Sequence, residues 1–140
     1  MIAELRGSKN MLDSSMKILV VDDFQVMRKV VSTCLKQLNY LNIEEASDGV
    51  EAFEKLKSDK IDFVITDWEM PNMTGIDLLK KIRSDDSLKH IPVMMVTAEG
   101  LQENIIEAIR AGVNNYIVKP IDVDSLREKM HKIFDEMQSS

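Results

Sequence analysis

Ile61-Asp62-Phe63-Val64-Ile65-Thr66-Asp67 is a short, mostly apolar run that stops on a carboxylate, and Trp68-Glu69-Met70-Pro71-Asn72-Met73 follows it as a turn. Such a run, closed by turn chemistry, reads as a buried strand. An earlier run behaves alike: Lys17-Ile18-Leu19-Val20-Val21 ends on the paired acids Asp22 and Asp23. If both runs are parallel strands, three carboxylates meet at the carboxyl edge of one sheet. Acids so placed repel one another and raise each other's pKa unless a cation joins them. Hard oxygen donors at a strand end suit Mg²⁺, which keeps waters and partners a phosphate. One of the three can then act as a nucleophile and become an aspartyl phosphate.

Outward from these two runs, segments 17–21, 42–46, 61–66, 92–97 and 115–118 read as buried strands. Helical periodicities lie between them. Val26, Val30, Cys34, Leu35 and Leu38 recur across 24–39, and Phe53 and Leu56 mark a helix opened by Asp48-Gly49. Ile76, Leu79 and Ile82 mark a third, and Ile105, Ile106 and Ile109 a fourth that ends at Gly112, a C-terminal cap. Leu126, Met130, Ile133, Phe134 and Met137 form a last stripe, with Asp122 as its N-cap. Strands alternating with helices imply an α/β fold, a parallel sheet covered on both faces. In such sheets the site lies at the carboxyl ends of the strands. Asp22, Asp23, Asp67, Thr97 and Lys119 all fall there.

A length of 140 residues suits one domain. Residues 1–15 lack periodicity and read as a flexible N-terminal extension, with the domain proper spanning 16–140. No apolar stretch approaches the roughly 20 residues of a membrane helix, and no signal-peptide core is evident, so membrane insertion is not expected. The single cysteine, Cys34, forbids an internal disulfide and fits a reducing cytoplasm. A net charge of −6 argues against nonspecific nucleic-acid binding.

Each residue also has a plainer reading. Asp22 and Asp23 could simply cap the helix that follows. Asp67 could be a turn residue, although an acid ending so apolar a strand needs a partner. Lys119 can supply that partner, either as a structural ion pair or as a point charge on a phosphoryl oxygen. A cis peptide before Pro120 would bend the chain and aim Lys119 inward. Thr97 could be an ordinary strand-end hydroxyl or a donor to phosphate. Tyr116 reads as a half-buried aromatic that could also sit in two rotamers. Cys34 and most of the ten methionines read as core filler.

Val21-Asp22-Asp23-Phe24, Asp67-Trp68-Glu69-Met70-Pro71-Asn72-Met73-Thr74-Gly75, Met95-Val96-Thr97-Ala98-Glu99 and Tyr116-Ile117-Val118-Lys119-Pro120 together resemble the receiver domains of two-component signalling. More narrowly, they resemble the stand-alone chemotaxis response regulators of the CheY kind, over residues 16–138. The resemblance implies a single-domain (βα)5 flavodoxin-like fold, a doubly wound parallel five-stranded sheet of strand order 2-1-3-4-5. That order is implied by the family and not by the periodicities. The resemblance also implies that Asp67 accepts a phosphoryl group from a chemotaxis histidine kinase. Asp22, Asp23, Asp67 and the backbone carbonyl of Glu69 would hold Mg²⁺. Thr97 and Lys119 would bind the phosphoryl oxygens, and Thr97 and Tyr116 would form the switch. The implied partners are that kinase, the flagellar motor switch protein FliM and a phosphatase. The regulator itself would be a cytoplasmic monomer that assists its own phosphorylation and dephosphorylation without being an enzyme in the turnover sense. Output would come from the face formed by 100–112, 115–118 and 122–138.

Glu69 stands where the family often has Asn, Gly100-Leu101-Gln102 where a lysine pair often follows, and Ile121 where Phe is usual. These departures bear on partner choice and phosphoryl lifetime, and Glu69 with Glu99 is expected to modulate the latter. Two other functions share parts of the pattern. A phosphorelay intermediate or phosphate sink would use the same acids without a motor. An aspartyl-phosphate phosphatase of the haloacid dehalogenase type would want a second Asp where Glu69 stands. Nucleotide-binding glycine loops are absent from the sequence.

Overall fold

The computed structural model describes residues 15–98 and 102–138. Five strands, β1 (Ile18–Val21), β2 (Ile43–Ala46), β3 (Phe63–Asp67), β4 (Val93–Thr97) and β5 (Asn115–Val118), form one parallel sheet of order β2-β1-β3-β4-β5. Between and after them run α1 (Gln25–Gln37), α2 (Gly49–Ser58), α3 (Gly75–Ser84), α4 (Gln102–Ala111) and α5 (Val123–Gln138). The expected α/β architecture and its strand order are therefore present.

The sheet divides two cores by strand alternation. Leu19, Val21, Val64, Val93 and Met95 face α2, α3 and α4 and pack with Ala52, Leu56, Ile76, Leu79, Ile82 and Ala108. Ile18, Val20, Phe63, Ile65, Met94 and Val96 face α1 and α5 and pack with Val31, Leu35, Leu126, Met130, Ile133 and Phe134. Phe63 and Phe134 meet edge to face at 5.6 Å, joining the central strand to the last helix. Both faces are dry, so β1, β3 and β4 read as continuous apolar runs rather than alternating ones.

Helix starts follow their caps. Asp48 accepts from the Glu51 N–H at 2.8 Å, and Asp122 from the Ser125 N–H at 2.8 Å. Thr74 and Asp77 form a reciprocal capping box at the start of α3. Gly112 follows α4 with φ +96°, the left-handed stop that a side chain would resist. At the opposite end of the sheet from the carboxylates, the half-buried Arg83 donates to the carbonyls of Gly112, Lys89 and Ile91 and to Asn114 Oδ1 at 2.7–3.1 Å. One guanidinium thus ties the end of α3 to the chain entering β4 and to the α4–β5 turn.

The structure corrects four details of the sequence reading. The 42–46 and 115–118 strands are not fully buried, because both lie at sheet edges; Glu45 and Val118 are exposed and Tyr116 is half-buried. In α1 the buried face follows Val31, Cys34 and Leu35, whereas Val26 is exposed, about 100° round the helix from its neighbour Met27. In α4 the small Ala108 makes the contact, and Ile106 and Ile109 point outward. The capping box at Thr74 had no part in the expected boundary of α3. Residues 1–14, within the anticipated extension, and Glu99 lie outside the described residues. Among the described residues no helix is long and apolar enough to cross a membrane.

Ser32 sits inside α1 with its hydroxyl buried and without a hydrogen-bond partner. An unsatisfied buried hydroxyl opposes folding, and Ala has the better helix propensity. Ser32→Ala is expected to stabilise the fold by about 1 kcal/mol, read as a higher urea midpoint at unchanged slope. A lower midpoint would show that the hydroxyl has a partner.

Candidate functional site

Parallel registration brings the polar strand ends together. Val21 pairs with Thr66, so Asp22 follows beside Asp67, and Asp67 pairs with Val96, one residue before Thr97. Thr97 pairs with Val118, one residue before Lys119. The ladder runs on past the strands: the Asp22 N–H donates to Ala46 O at 3.1 Å, Trp68 N–H to Val96 O at 2.9 Å and Lys119 N–H to Thr97 O at 2.8 Å. These bonds fix the backbone of each functional residue before any side chain acts.

Asp22 and Asp67 are buried and Asp23 is exposed, and one carboxylate oxygen from each lies within 4.8 Å of the others. Burial pushes the Asp22 carboxyl up to about 6; the neighbouring Asp67 and Asp23 charges add to this, and the Phe24 N–H, 2.9 Å from Oδ1, opposes it. Burial also raises Asp67, against the pull of Lys119, whose ammonium is 3.2 Å from Asp67 Oδ1. One lysine does not offset three carboxylates. The donor set consists of hard oxygens with excess negative charge, which suits a divalent cation such as Mg²⁺. The plainer capping reading does not hold: Phe24 is the N-cap of α1, no side chain caps that helix, and Asp22 Oδ1 accepts from the Phe24 N–H in the turn before it.

A cleft of about 320 Å³ opens beside Asp67 and Lys119, bounded also by Trp68, Glu69, Thr97, Ala98 and Asn104. A wider groove of about 620 Å³ continues from Asp23, Trp68 and Glu69 toward Asp77 and Glu107. Thr97 is buried, Lys119 half-buried, Trp68 half-buried and Glu69 exposed. The Lys119–Pro120 peptide is cis. Tyr116 packs against the α2–α4 core, and the Lys129 ammonium lies 5.1 Å from its ring centroid. Ile106 and Ile109 on α4 and Val118 on β5 are exposed.

Asn104 and Arg28 did not stand out in the sequence, and Gly75 figured there only as the end of the Asp67–Gly75 motif. Asn104 looks like an ordinary polar residue of a helix's first turn, and only the fold turns it toward the cleft. Arg28 looks like a solvated helix charge, yet it donates to the backbone carbonyl of Asp22 at 2.6 Å. Gly75 had a readable signal, being a glycine at a helix start three residues after Asn72, which has φ +69°. Its N–H donates to Trp68 O at 2.9 Å, and a Cβ there would run into the Asp67 carbonyl oxygen. That same oxygen accepts from Thr66 Oγ1 at 3.1 Å. Gly75 therefore lets α3 press directly on the backbone that carries Asp67.

A response regulator receiver domain model matches residues 18–131. The chain belongs to the response regulator receiver family. It is 55% identical over 126 residues to the chemotaxis protein CheY-3 of Vibrio cholerae, covering 90% of this chain and 97% of that one. Identity to the chemotaxis protein CheY of Pseudomonas aeruginosa is 52% over 122 residues, 87% of this chain and 98% of that one. The solved structure of Vibrio cholerae CheY4 superposes with a TM-score of 0.79 at 33% identity, over 84% of this chain and 98% of that chain. A receiver domain of a Pseudomonas aeruginosa sensor histidine kinase, solved with magnesium coordinated in its active site cleft, matches with a TM-score of 0.78 at 25% identity, over 86% of this chain and 98% of that one. The protein is thus a receiver domain of two-component signalling, a phosphoacceptor switch whose relatives serve chemotaxis. Receiver domains bind Mg²⁺ at an acidic pocket, and Asp22, Asp23 and Asp67 form such a pocket here.

Gly75→Ala is expected to displace the Asp67 backbone and destabilise the fold by about 1–3 kcal/mol, the usual range for overpacking. Urea unfolding followed by Trp68 emission measures this. An unchanged midpoint would mean that the α3 contact yields freely.

Proposed function

We propose that residues 16–140 form a single-domain chemotaxis response regulator that is phosphorylated on Asp67. The observation that carries this reading is the buried Asp67 carboxylate, 3.2 Å from Lys119 and clustered with Asp22 and Asp23. One Asp67 oxygen attacks phosphorus, forming an O–P bond as the bond to the donor breaks, whether that donor is a kinase histidine nitrogen or a small acyl phosphate. Asp22, Asp23, Asp67 and the Glu69 carbonyl would hold Mg²⁺, which when bound neutralises the acids and the phosphoryl charge. Lys119 and Thr97, on the other side of the cleft, bind the phosphoryl oxygens. Lys119 exchanges its carboxylate contact for the more negative phosphoryl group.

Occupancy of the cleft then biases a two-state equilibrium through contacts made in only one state. Thr97 moves toward the phosphoryl group and Tyr116 follows it. The output face is α4, β5 and α5, where Ile106, Ile109 and Val118 are exposed. Its partner is the flagellar motor switch protein FliM, with a chemotaxis histidine kinase as phosphodonor and a phosphatase completing the cycle in the cytoplasm. Glu69, exposed at the cleft, tunes hydrolysis of the acyl phosphate, to be read in the dephosphorylation rate of Glu69→Asn. A phosphorelay or phosphate-sink role would use the same site, but the apolar exposure of α4 and β5 favours a docking output.

Titration with Mg²⁺ and then acetyl phosphate, followed by Trp68 fluorescence, tests the site. Mg²⁺ is expected to quench wild type, and the phosphodonor to cause a further change that Asp67→Asn lacks entirely. A phosphodonor response that survives in Asp67→Asn would overturn the assignment. Phosphorylation that leaves affinity for FliM unchanged would favour the sink.

The same titration has a pH signature. The Asp22 carboxyl is raised from 3.8 to about 6, so its contribution to stability without metal is complete below the unfolded value and is lost as pH rises through 6. A bound cation favours the ionised form and reverses that loss. Apparent Mg²⁺ affinity should fall about tenfold per pH unit below 6. The rise in melting temperature with Mg²⁺ should be largest near about pH 7.5 and shrink steadily below about pH 6. Constant affinity across that range would contradict the raised Asp22.

A further inference from the structure

We infer that Arg28 is a positioning residue for the divalent-cation site, holding the Asp22–Asp23 peptide against β2. The inference rests on the Mg²⁺ reading of the acidic cluster. Arg28 lies one turn inside α1, its side chain 15% exposed. Nη1 donates to the backbone carbonyl of Asp22 at 2.6 Å, and Nε donates to Glu45 Oε1 at 2.9 Å. The N–H of Asp22 meanwhile donates to the carbonyl of Ala46 at 3.1 Å. Both backbone polar groups of Asp22 are therefore anchored to consecutive residues of β2, one directly and one through the guanidinium.

This arrangement fixes the plane of the peptide from which Asp23 departs, and so the direction of the second acid relative to the first. Asp22 is held once more by its own turn, where Oδ1 accepts from the Phe24 N–H at 2.9 Å. A planar fork with donors at fixed separation can bridge a carbonyl and a carboxylate, whereas an ammonium is a single point. The ion pair with Glu45 adds little stability by itself, because that carboxylate is 45% exposed, but it ties the guanidinium to β2. The short charge-assisted bond to the Asp22 carbonyl is the part that orients the site. Arg28 itself is no ligand, since its charge would repel a cation. It acts through the backbone, as groups behind metal ligands do, and losing such a group weakens metal binding by about 10–100-fold.

The test is Mg²⁺ titration of the full chain by Trp68 fluorescence in wild type, Arg28→Ala, Arg28→Lys, Glu45→Ala and Leu38→Ala. Leu38, half-buried just past the far end of α1, serves as a control for general loss of stability. Arg28→Ala is expected to weaken Mg²⁺ binding about tenfold, with Arg28→Lys and Glu45→Ala in between. Leu38→Ala should bind as wild type does. Unchanged Mg²⁺ affinity in Arg28→Ala, or equal weakening in Leu38→Ala, would overturn the inference. Should Arg28→Ala fail to fold, wild-type affinity in both Arg28→Lys and Glu45→Ala would overturn it. Absence of any Mg²⁺ response in wild type is a different failure, removing the cation site itself.

Discussion

Three carboxylates crowded at one strand edge, with Lys119 against them, are the constraint around which this molecule is built. The repulsion is not relieved by solvent, because Asp22 and Asp67 are both buried. It is held in place by a sheet whose two cores would have to be breached for the acids to separate. Apolar packing far from the site thus sustains an electrostatic arrangement that is unfavourable on its own terms. A divalent cation among the three acids would relieve that repulsion.

The supporting structure is correspondingly polar-poor at the centre and specific at its rim. Gly75 admits α3 to the Asp67 carbonyl, Thr66 bonds that same oxygen, and Arg28 secures the neighbouring loop. Each of these contacts on Asp22 and Asp67 is made to backbone and uses none of their carboxylate oxygens. The Glu44 and Glu45 side chains on β2 place charge along one edge of the sheet, a common defence against pairing with another strand.

Much of this was legible in the chain. The runs ending in Asp22–Asp23, Asp67, Thr97 and Lys119 announced strands by their apolar content and announced a site by what terminated them. Parallel register then did the rest, since it needs only similar strand lengths to align those ends. The less legible parts depended on neighbours. Val26 fits a helical period as well as Met27 does, and which of them is half-buried and which exposed depends on how α1 sits against the sheet. Strands 42–46 and 115–118 looked buried because burial of both faces requires flanking strands, and edge position is a property of topology rather than of local sequence. Arg28 was invisible for a similar reason, its acceptors being six and seventeen positions away.

Arg83 gives α4 an uneven mounting. Its bonds to Gly112 and Asn114 fasten the chain just beyond the helix's carboxyl end, while Asn104 at the other end borders the open cleft. Ala108 seats the middle of the helix in the core, so a rearrangement beside Asp67 would meet α4 at the end that Arg83 does not hold.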